Sequence, residues 1–395
     1  MIFYFVIYLI ATGLAFISDW LEERSATIAA IKSTGQNAER PSLLSAFSLA
    51  NVTFALSGMV LLAVRGLRCG VGIDYFLSYV PKFRMALEGQ QISWGDPLYN
   101  GFIQLCAAVS SDYRVFFFID TLLFIGIIYA AIALSGLRRG PCVALLCFTY
   151  HFARSFIFQA QYLAMACCLL GVVLYAFQRK RVLSVLCLLI AVGLHSSAII
   201  MVAPLLTMVI VERLGVRLKI VAFAMILIPI AAILIRPFLE SIVQAVLSER
   251  FSGYFGSSHD DNQFSGYLFV VNLAVYLFTL TVLLRQKKHE VSCCYLALIQ
   301  AFSLAASILT GTVPLAYRLV FYFMFSQVLL VPLLSDYISK RKVKICVEWG
   351  IILCFAAVQF VYLLPQDTDG VIPYCSIFSS EEQIKAIEEG IDQYR

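Results

Sequence analysis

Charge is scarce in this sequence. Only 13% of the 395 residues are Asp, Glu, Lys or Arg while 61% are hydrophobic, and mean hydropathy is +0.87. A chain with so little polar side chain cannot cover the surface of a soluble globule, which excludes the soluble enzyme classes. A P-loop, a G-x-S-x-G elbow and an H-E-x-x-H pair are all missing, so no ATPase, serine hydrolase or zinc protease is indicated. There is no C-x-x-C spacing either. The 12 cysteines lie mostly inside apolar runs, as in the pairs Cys167-Cys168 and Cys293-Cys294, and read as small packing hydrophobes rather than metal ligands or disulfides. No metal or other cofactor is expected. The net charge of +5 is spread over short clusters beside the apolar runs, which does not imply nucleic-acid binding. Neither an internal repeat nor a separable soluble domain is visible.

What is present is a series of apolar runs about 18 to 22 residues long, enough for a helix to cross roughly 30 Å of hydrocarbon, without the period-2 pattern of barrel strands. The expected fold is therefore all-α and integral to the membrane: a polytopic bundle of about 11–12 helices, with an extracytoplasmic loop that contains short amphipathic helices. Ile2 to Ile17 reads as a retained helix, because no Lys or Arg precedes it and Asp19, Glu22 and Glu23 follow it. A polar linker is expected from Ser18 to Arg40. The polytopic domain covers residues 1–364, with outer loops at 65–114 and 240–266. A tail at 365–395 carries a short amphipathic helix, Glu381 to Ile391, with Ser379 and Glu382 spaced as a capping box.

Orientation follows from the basic clusters Arg138-Arg139, Arg179-Lys180-Arg181, Arg285 with Lys287-Lys288, and Lys340-Arg341-Lys342 with Lys344. The positive-inside rule puts all four in the cytoplasm, leaving 65–114 outside. The apolar run Val182 to Val211, about thirty residues or roughly 45 Å as one helix, is interrupted at Gly193-Leu194-His195. It reads either as one tilted helix or as two short arms with His195 at their apex; the later basic clusters obey the rule only in the second case.

The outer stretch Arg65 to Asn100 is polar and Gly-punctuated amid oil. It gathers Arg65, Arg68, Lys82 and Arg84 with Asp74, Glu88 and Asp96 and the aromatics Tyr75, Tyr79, Trp94 and Tyr99, a suitable wall for a charged, sugar-bearing ligand. Arg154, in YHFARSFIFQAQYLAMA, either snorkels to the surface or grips an anion, since guanidinium gives two parallel hydrogen bonds to phosphate. Arg68 and Arg318 share that logic. Gln159 and Gln161 need partners within the bilayer and should face the bundle interior. His195 is the one histidine inside a long apolar run; such a residue is more often structural than catalytic.

The order of GIDYFLSYVPKF (Gly72 to Phe83), DPLYN (Asp96 to Asn100), QAQYLAMA (Gln159 to Ala166), LHSSAII (Leu194 to Ile200) and RLVFYF (Arg318 to Phe323) resembles the EpsG family of bacterial polysaccharide polymerases, relatives of Wzy-type O-antigen polymerases. The family's motifs read approximately G-x-D followed by Tyr, E-P-L, R-Q-x-L-A and F-H-x-S-A. Gly72, Asp74, Pro97, Leu98, Gln161, Leu163, Ala164, His195, Ser197 and Ala198 match. Asp96 replaces the Glu, Ala160 stands where Arg is expected, and Tyr79 lies one residue further from Asp74.

The resemblance implies a glycosyltransferase of the bacterial cytoplasmic membrane. It would join oligosaccharide repeat units carried on undecaprenyl diphosphate into O-antigen, capsule or exopolysaccharide on the outer side. Its partners would be that lipid-linked oligosaccharide, membrane lipid, and a flippase and chain-length regulator of the same pathway. His195 or Asp74 would serve as catalytic base. Arg68, Arg154 and Arg318, with Gln161, Asp96, Tyr79 and Tyr99, would hold substrate and diphosphate. A flippase for the same lipid-linked sugars and a membrane acyltransferase acting on surface glycans are the competing readings.

Overall fold

The computed structural model describes residues 1–33, 48–92, 94–215, 218–246, 264–285, 290–312 and 316–392. The protein is all-α and polytopic, with no strand among the described residues. Ten of the described helices are long and apolar enough to cross a membrane. Two shorter apolar helices, Arg139–Phe148 and Arg181–Leu194, accompany them. The basic pair Lys287-Lys288 and residues 247–263 of the second expected outer loop lie outside the described residues.

The chain divides into two compact units. The first comprises Met1–Cys167, Gly193–His195 and Ile345–Arg395; the second comprises Cys168–Val192 and Ser196–Lys344. In the first, small side chains let helices approach and then tie them together. Ser57 donates to Ala11 O at 2.7 Å and meets the Tyr129 hydroxyl at 2.8 Å, while Gly58 makes room for the Tyr129 ring, 3.1 Å from where a Cβ would stand.

The expected linker from Ser18 to Arg40 is corrected: helix Ile2–Ser33 runs on through residues 18–33, and residues 34–40 lie outside the described residues. Charge there does not break the helix, because Asp19, Glu22 and Glu23 carry neither a ring nor a β-branch, and it finds partners. Asp19 accepts from the Arg139 and Gly140 amides at 2.8 Å each, capping helix Arg139–Phe148, and Glu22 pairs with Arg139 at 3.3 Å.

The tail is also more fastened than its sequence suggests. Cys69 N donates to Cys375 O at 3.0 Å, Ile377 N to Leu67 O at 2.9 Å and Gly72 N to Gly370 O at 2.8 Å, an edge-to-edge pairing that bridges Arg68 and Ser376. Helix Glu381–Asp392 follows, with Ile387 against Gly70. Its capping box lies one residue later than expected: Ser380 and Gln383 satisfy each other's amides at 3.3 Å.

In the second unit, three helices meet on buried amides. Asn272 Oδ1 accepts from Ser303 Oγ at 2.6 Å and Gln327 Nε2 at 2.9 Å, and Gln300 Nε2 reaches Asn272 O at 3.0 Å. Polar side chains in an apolar interior hold helices together only when paired in this way. The run Arg181 to Arg213 turns back on itself. Helix Arg181–Leu194 is followed by the 3-10 turn Ser196–Met201 and helix Val202–Arg213. Arg181 Nη2 meets Glu212 Oε2 at 2.8 Å, and Arg179 Nη1 reaches Oε1 at 3.3 Å. A straight helix would hold Arg181 and Glu212 about 45 Å apart, so the single tilted helix is excluded.

Candidate functional site

The apex of that hairpin, Gly193–His195, belongs to the first unit. Gly193 packs on Leu98: a Cβ at 193 would stand 3.2 Å from Leu98 Cβ, tighter than ordinary contact, so the absence of a side chain sets the approach. Leu98 is the second residue of helix Pro97–Val109, whose N-cap is Asp96 and whose first residue is Pro97. Gly95, at φ +98°, turns the chain into that cap.

An N-cap aspartate ordinarily accepts from its own helix. Asp96 makes no such bond. Its Oδ2 lies 2.6 Å from His195 Nδ1, with the Asp96 side chain 9% exposed and the imidazole 26% exposed. A carboxylate at a helix N-terminus is favoured in its charged form and can only accept, so Nδ1 carries the proton and donates. In the neutral ring that leaves Nε2 with its lone pair. This is the arrangement in which a carboxylate orients an imidazole to take a proton at its other nitrogen.

Through Tyr99, on the helix that follows Asp96, the chain reaches a sealed cluster. Arg65 ends helix Leu49–Gly66 and pairs with Asp120 at 2.8 Å, both side chains fully buried. Its Nη1 donates to Thr121 Oγ1 at 2.9 Å and its Nε to Ser155 Oγ at 3.0 Å. Tyr99 donates to the second oxygen of Asp120 at 3.0 Å. Burial first, and then the Asp120 charge, push the Tyr99 phenol well above its ordinary pKa, so it stays a donor.

The remaining residues singled out in the sequence fall in several places. Arg68 is 1% exposed, donates to Arg65 O and lies over the rings of Phe156 and Phe117 at 5.1 and 5.2 Å. Burial, with Arg65 nearby, lowers its pKa to about 10. It packs as a core residue under the tail and offers no open face to a ligand. Arg154 pairs with Asp369 of the tail at 3.3 Å and lies over Tyr150.

Tyr79 is buried beside Tyr99, ring centroids 6.0 Å apart, and its hydroxyl accepts from the Ala160 amide at 3.4 Å. Asp74 stands at the N-cap position of the π-helical turn Tyr75–Tyr79 without a side-chain capping bond; after burial, its charge is the next cause of the raised Tyr79 pKa. Gln161 is buried. Arg318 is half-buried in the second unit, with Nε directed at Tyr317 Oη. The structure thus brings His195 to Asp96 and Tyr79 to Tyr99, and sets Arg68 and Arg154 against the tail. Sequence reasoning passed over Asp120. A lone carboxylate inside the apolar run Val115 to Leu134 was the signal that marks it.

A model of the EpsG family matches residues 51–376. The chain belongs to the EpsG family. Its members are Wzy-type polysaccharide polymerase-like membrane proteins. The EpsG match takes in His195, Asp96 and the sealed cluster, and ends at Ser376, the tail residue bridged to Arg68. No curated protein and no solved structure matches the chain.

Proposed function

We propose that this EpsG-family protein polymerises oligosaccharide repeat units carried on undecaprenyl diphosphate, with His195 as general base. The observation that carries this reading is the 2.6 Å contact from His195 Nδ1 to Asp96 in a chain of this family. A hydroxyl of the incoming lipid-linked unit gives its proton to His195 Nε2 as its oxygen bonds the anomeric carbon of the growing glycan. The bond from that carbon to the diphosphate oxygen breaks, and the electron pair leaves on undecaprenyl diphosphate. Asp96 holds the imidazole in the accepting tautomer and stabilises the charge it gains. The reaction takes place on the outer face of the cytoplasmic membrane, where a flippase delivers the units and a chain-length regulator limits the product.

Deleting the gene tests this. Single repeat units should replace long glycan chains, with those units reaching the outer face. Units retained on the cytoplasmic face would mean a flippase instead. Unchanged chain length with loss of acyl groups would mean an acyltransferase.

A further inference from the structure

Two of the 12 cysteines, Cys69 and Cys375, lie outside every helix, while the other ten sit within helices. Far apart in the chain, these two meet in the pairing that fastens the tail. Cys69 N donates to Cys375 O at 3.0 Å and Ile377 N to Leu67 O at 2.9 Å, the two bonds that flank the antiparallel bridge of Arg68 with Ser376. Cys69 and Cys375 are therefore opposite residues, one step along that pairing, and both belong to the first unit.

Opposite residues of an antiparallel pair turn their side chains to the same face, with Cα atoms about 5.5 Å apart and Cβ atoms about 4.5–5.5 Å apart. A disulfide needs Cα atoms about 4.4–6.8 Å apart and Cβ atoms about 3.5–4.5 Å apart. The pairing meets the first condition by itself, and closing by about 1 Å meets the second. Both residues are unbridged thiols in this structure, 1% and 4% exposed, and Cys375 Sγ is turned to Ser376 O at 3.9 Å, so a rotation about χ1 is part of the closing. Burial pushes the Cys69 thiol above its ordinary pKa, and the neighbouring Cys375 adds to the rise.

The compartment suits such a bond. Helix Arg341–Gln366 starts at the basic cluster that the positive-inside rule assigns to the cytoplasm, so the tail emerges on the opposite side, with the 65–114 loop. Disulfides form and persist outside the bacterial cytoplasm, whereas cytoplasmic thiols are kept reduced.

We propose that Cys69 and Cys375 are a disulfide-forming pair that locks the tail across Arg68 on the outer side of the membrane. The oxidant is a thiol–disulfide oxidoreductase of that compartment. The thiolate of one cysteine attacks the oxidoreductase disulfide, forming a mixed disulfide and releasing one of its sulfurs as a thiolate. The second cysteine then attacks the sulfur of the first, the mixed bond breaks, and the oxidoreductase leaves as a dithiol with the two electrons and both protons. Docking of the tail buries both sulfurs and leaves Cys69 with little thiolate, so the exchange belongs to assembly, when the tail arrives after the last span. The bond closes a ring over most of the chain, and long rings restrict the unfolded state most.

The test uses the full-length protein in membranes of growing cells. The cells are quenched in acid, free thiols are blocked with N-ethylmaleimide under denaturing conditions, and the protein is digested without reductant for mass spectrometry. The peptide holding Cys69 should be joined to the peptide holding Cys375, and a reductant should release both. Cys69 and Cys375 both blocked in the wild-type protein would overturn the pair, and so would either one joined to a different cysteine. This readout needs no variant, so it holds whatever a substitution does to folding. In purified protein, reduction should lower the wild-type melting temperature by roughly 5 °C and leave that of the Cys69→Ala, Cys375→Ala double variant unchanged. An equal response of the two proteins would overturn the lock on the tail.

Discussion

Two acid–base pairs lie in the first unit, and they differ in what surrounds them. Arg65–Asp120 is closed on every side. Both side chains are fully buried, the guanidinium is shared among Asp120, Thr121 and Ser155, and Tyr99 occupies the other carboxylate oxygen. His195–Asp96 is tighter by distance, 2.6 Å against 2.8 Å, yet its imidazole is 26% exposed. Closeness does not separate a structural pair from a chemical one. What separates them is whether a valence is left over and can be reached: every group of the first pair is spent internally, whereas the second leaves Nε2.

The most damaging test of this contrast is Asp120→Ala. It strands a buried guanidinium, which typically costs about 3–5 kcal/mol. The variant should be lost from the membrane or melt far below wild type, and replacing both Arg65 and Asp120 with apolar residues should recover much of the loss. A normal melting temperature for Asp120→Ala would show that the pair does not hold the fold.

His195→Gln should do the opposite, keeping the melting temperature while polymer formation falls by about 10²- to 10⁴-fold. Wild-type chain lengths would remove His195 as the base. A dead Asp74→Asn variant beside an active His195→Gln would move that role to Asp74. Asp96→Asn should be milder. It exchanges a charge-assisted hydrogen bond, worth about 1.5–3 kcal/mol, for a neutral one worth about 0.5–1.5 kcal/mol, a difference of about 1–1.5 kcal/mol and hence roughly five- to tenfold in rate; an unchanged rate in single-turnover assays would mean the carboxylate does not orient the ring.

The smallest effect is expected at Arg154 and Asp369, a mostly buried pair with a long 3.3 Å contact that helps fasten the tail. A double-mutant cycle on thermal stability should give a coupling of about 0.5–3 kcal/mol. Zero coupling would leave the backbone pairing at Arg68 and Ser376 as the tail's fastening.

Much of this arrangement is legible along the chain because a membrane imposes it locally. Apolar runs mark the spanning helices, and Gly193 and His195 mark the turn because they interrupt such a run. Other features are visible only in three dimensions. The Asp96 contact joins positions 99 apart, and at residue 96 the family resemblance points to a departure rather than to a partner for His195. Arg68 looks like an anion grip while its neighbours are unknown; the tail residues that cover it lie at the other end of the chain, and no periodicity announces their pairing. The polar residues after Ile17 suggest a linker because polarity alone reads as loss of helix, whereas Asp19 and Glu22 are held by Arg139.

The arms on either side of His195 are joined at their far ends by Glu212 and Arg181 and carry the histidine at their tip. Their composition is permissive, since Leu, Val and Ile are nearly interchangeable against lipid. Their length is not. In an α-helix each residue advances the chain by about 100° of rotation. A one-residue deletion between Val182 and Val192 would turn the rest of that arm by this angle relative to Arg181 and break the register in which Arg181 meets Glu212, even with every side chain still apolar. This stretch should therefore accept many substitutions and almost no insertions or deletions: a segment whose information lies in the count of its residues more than in their kind.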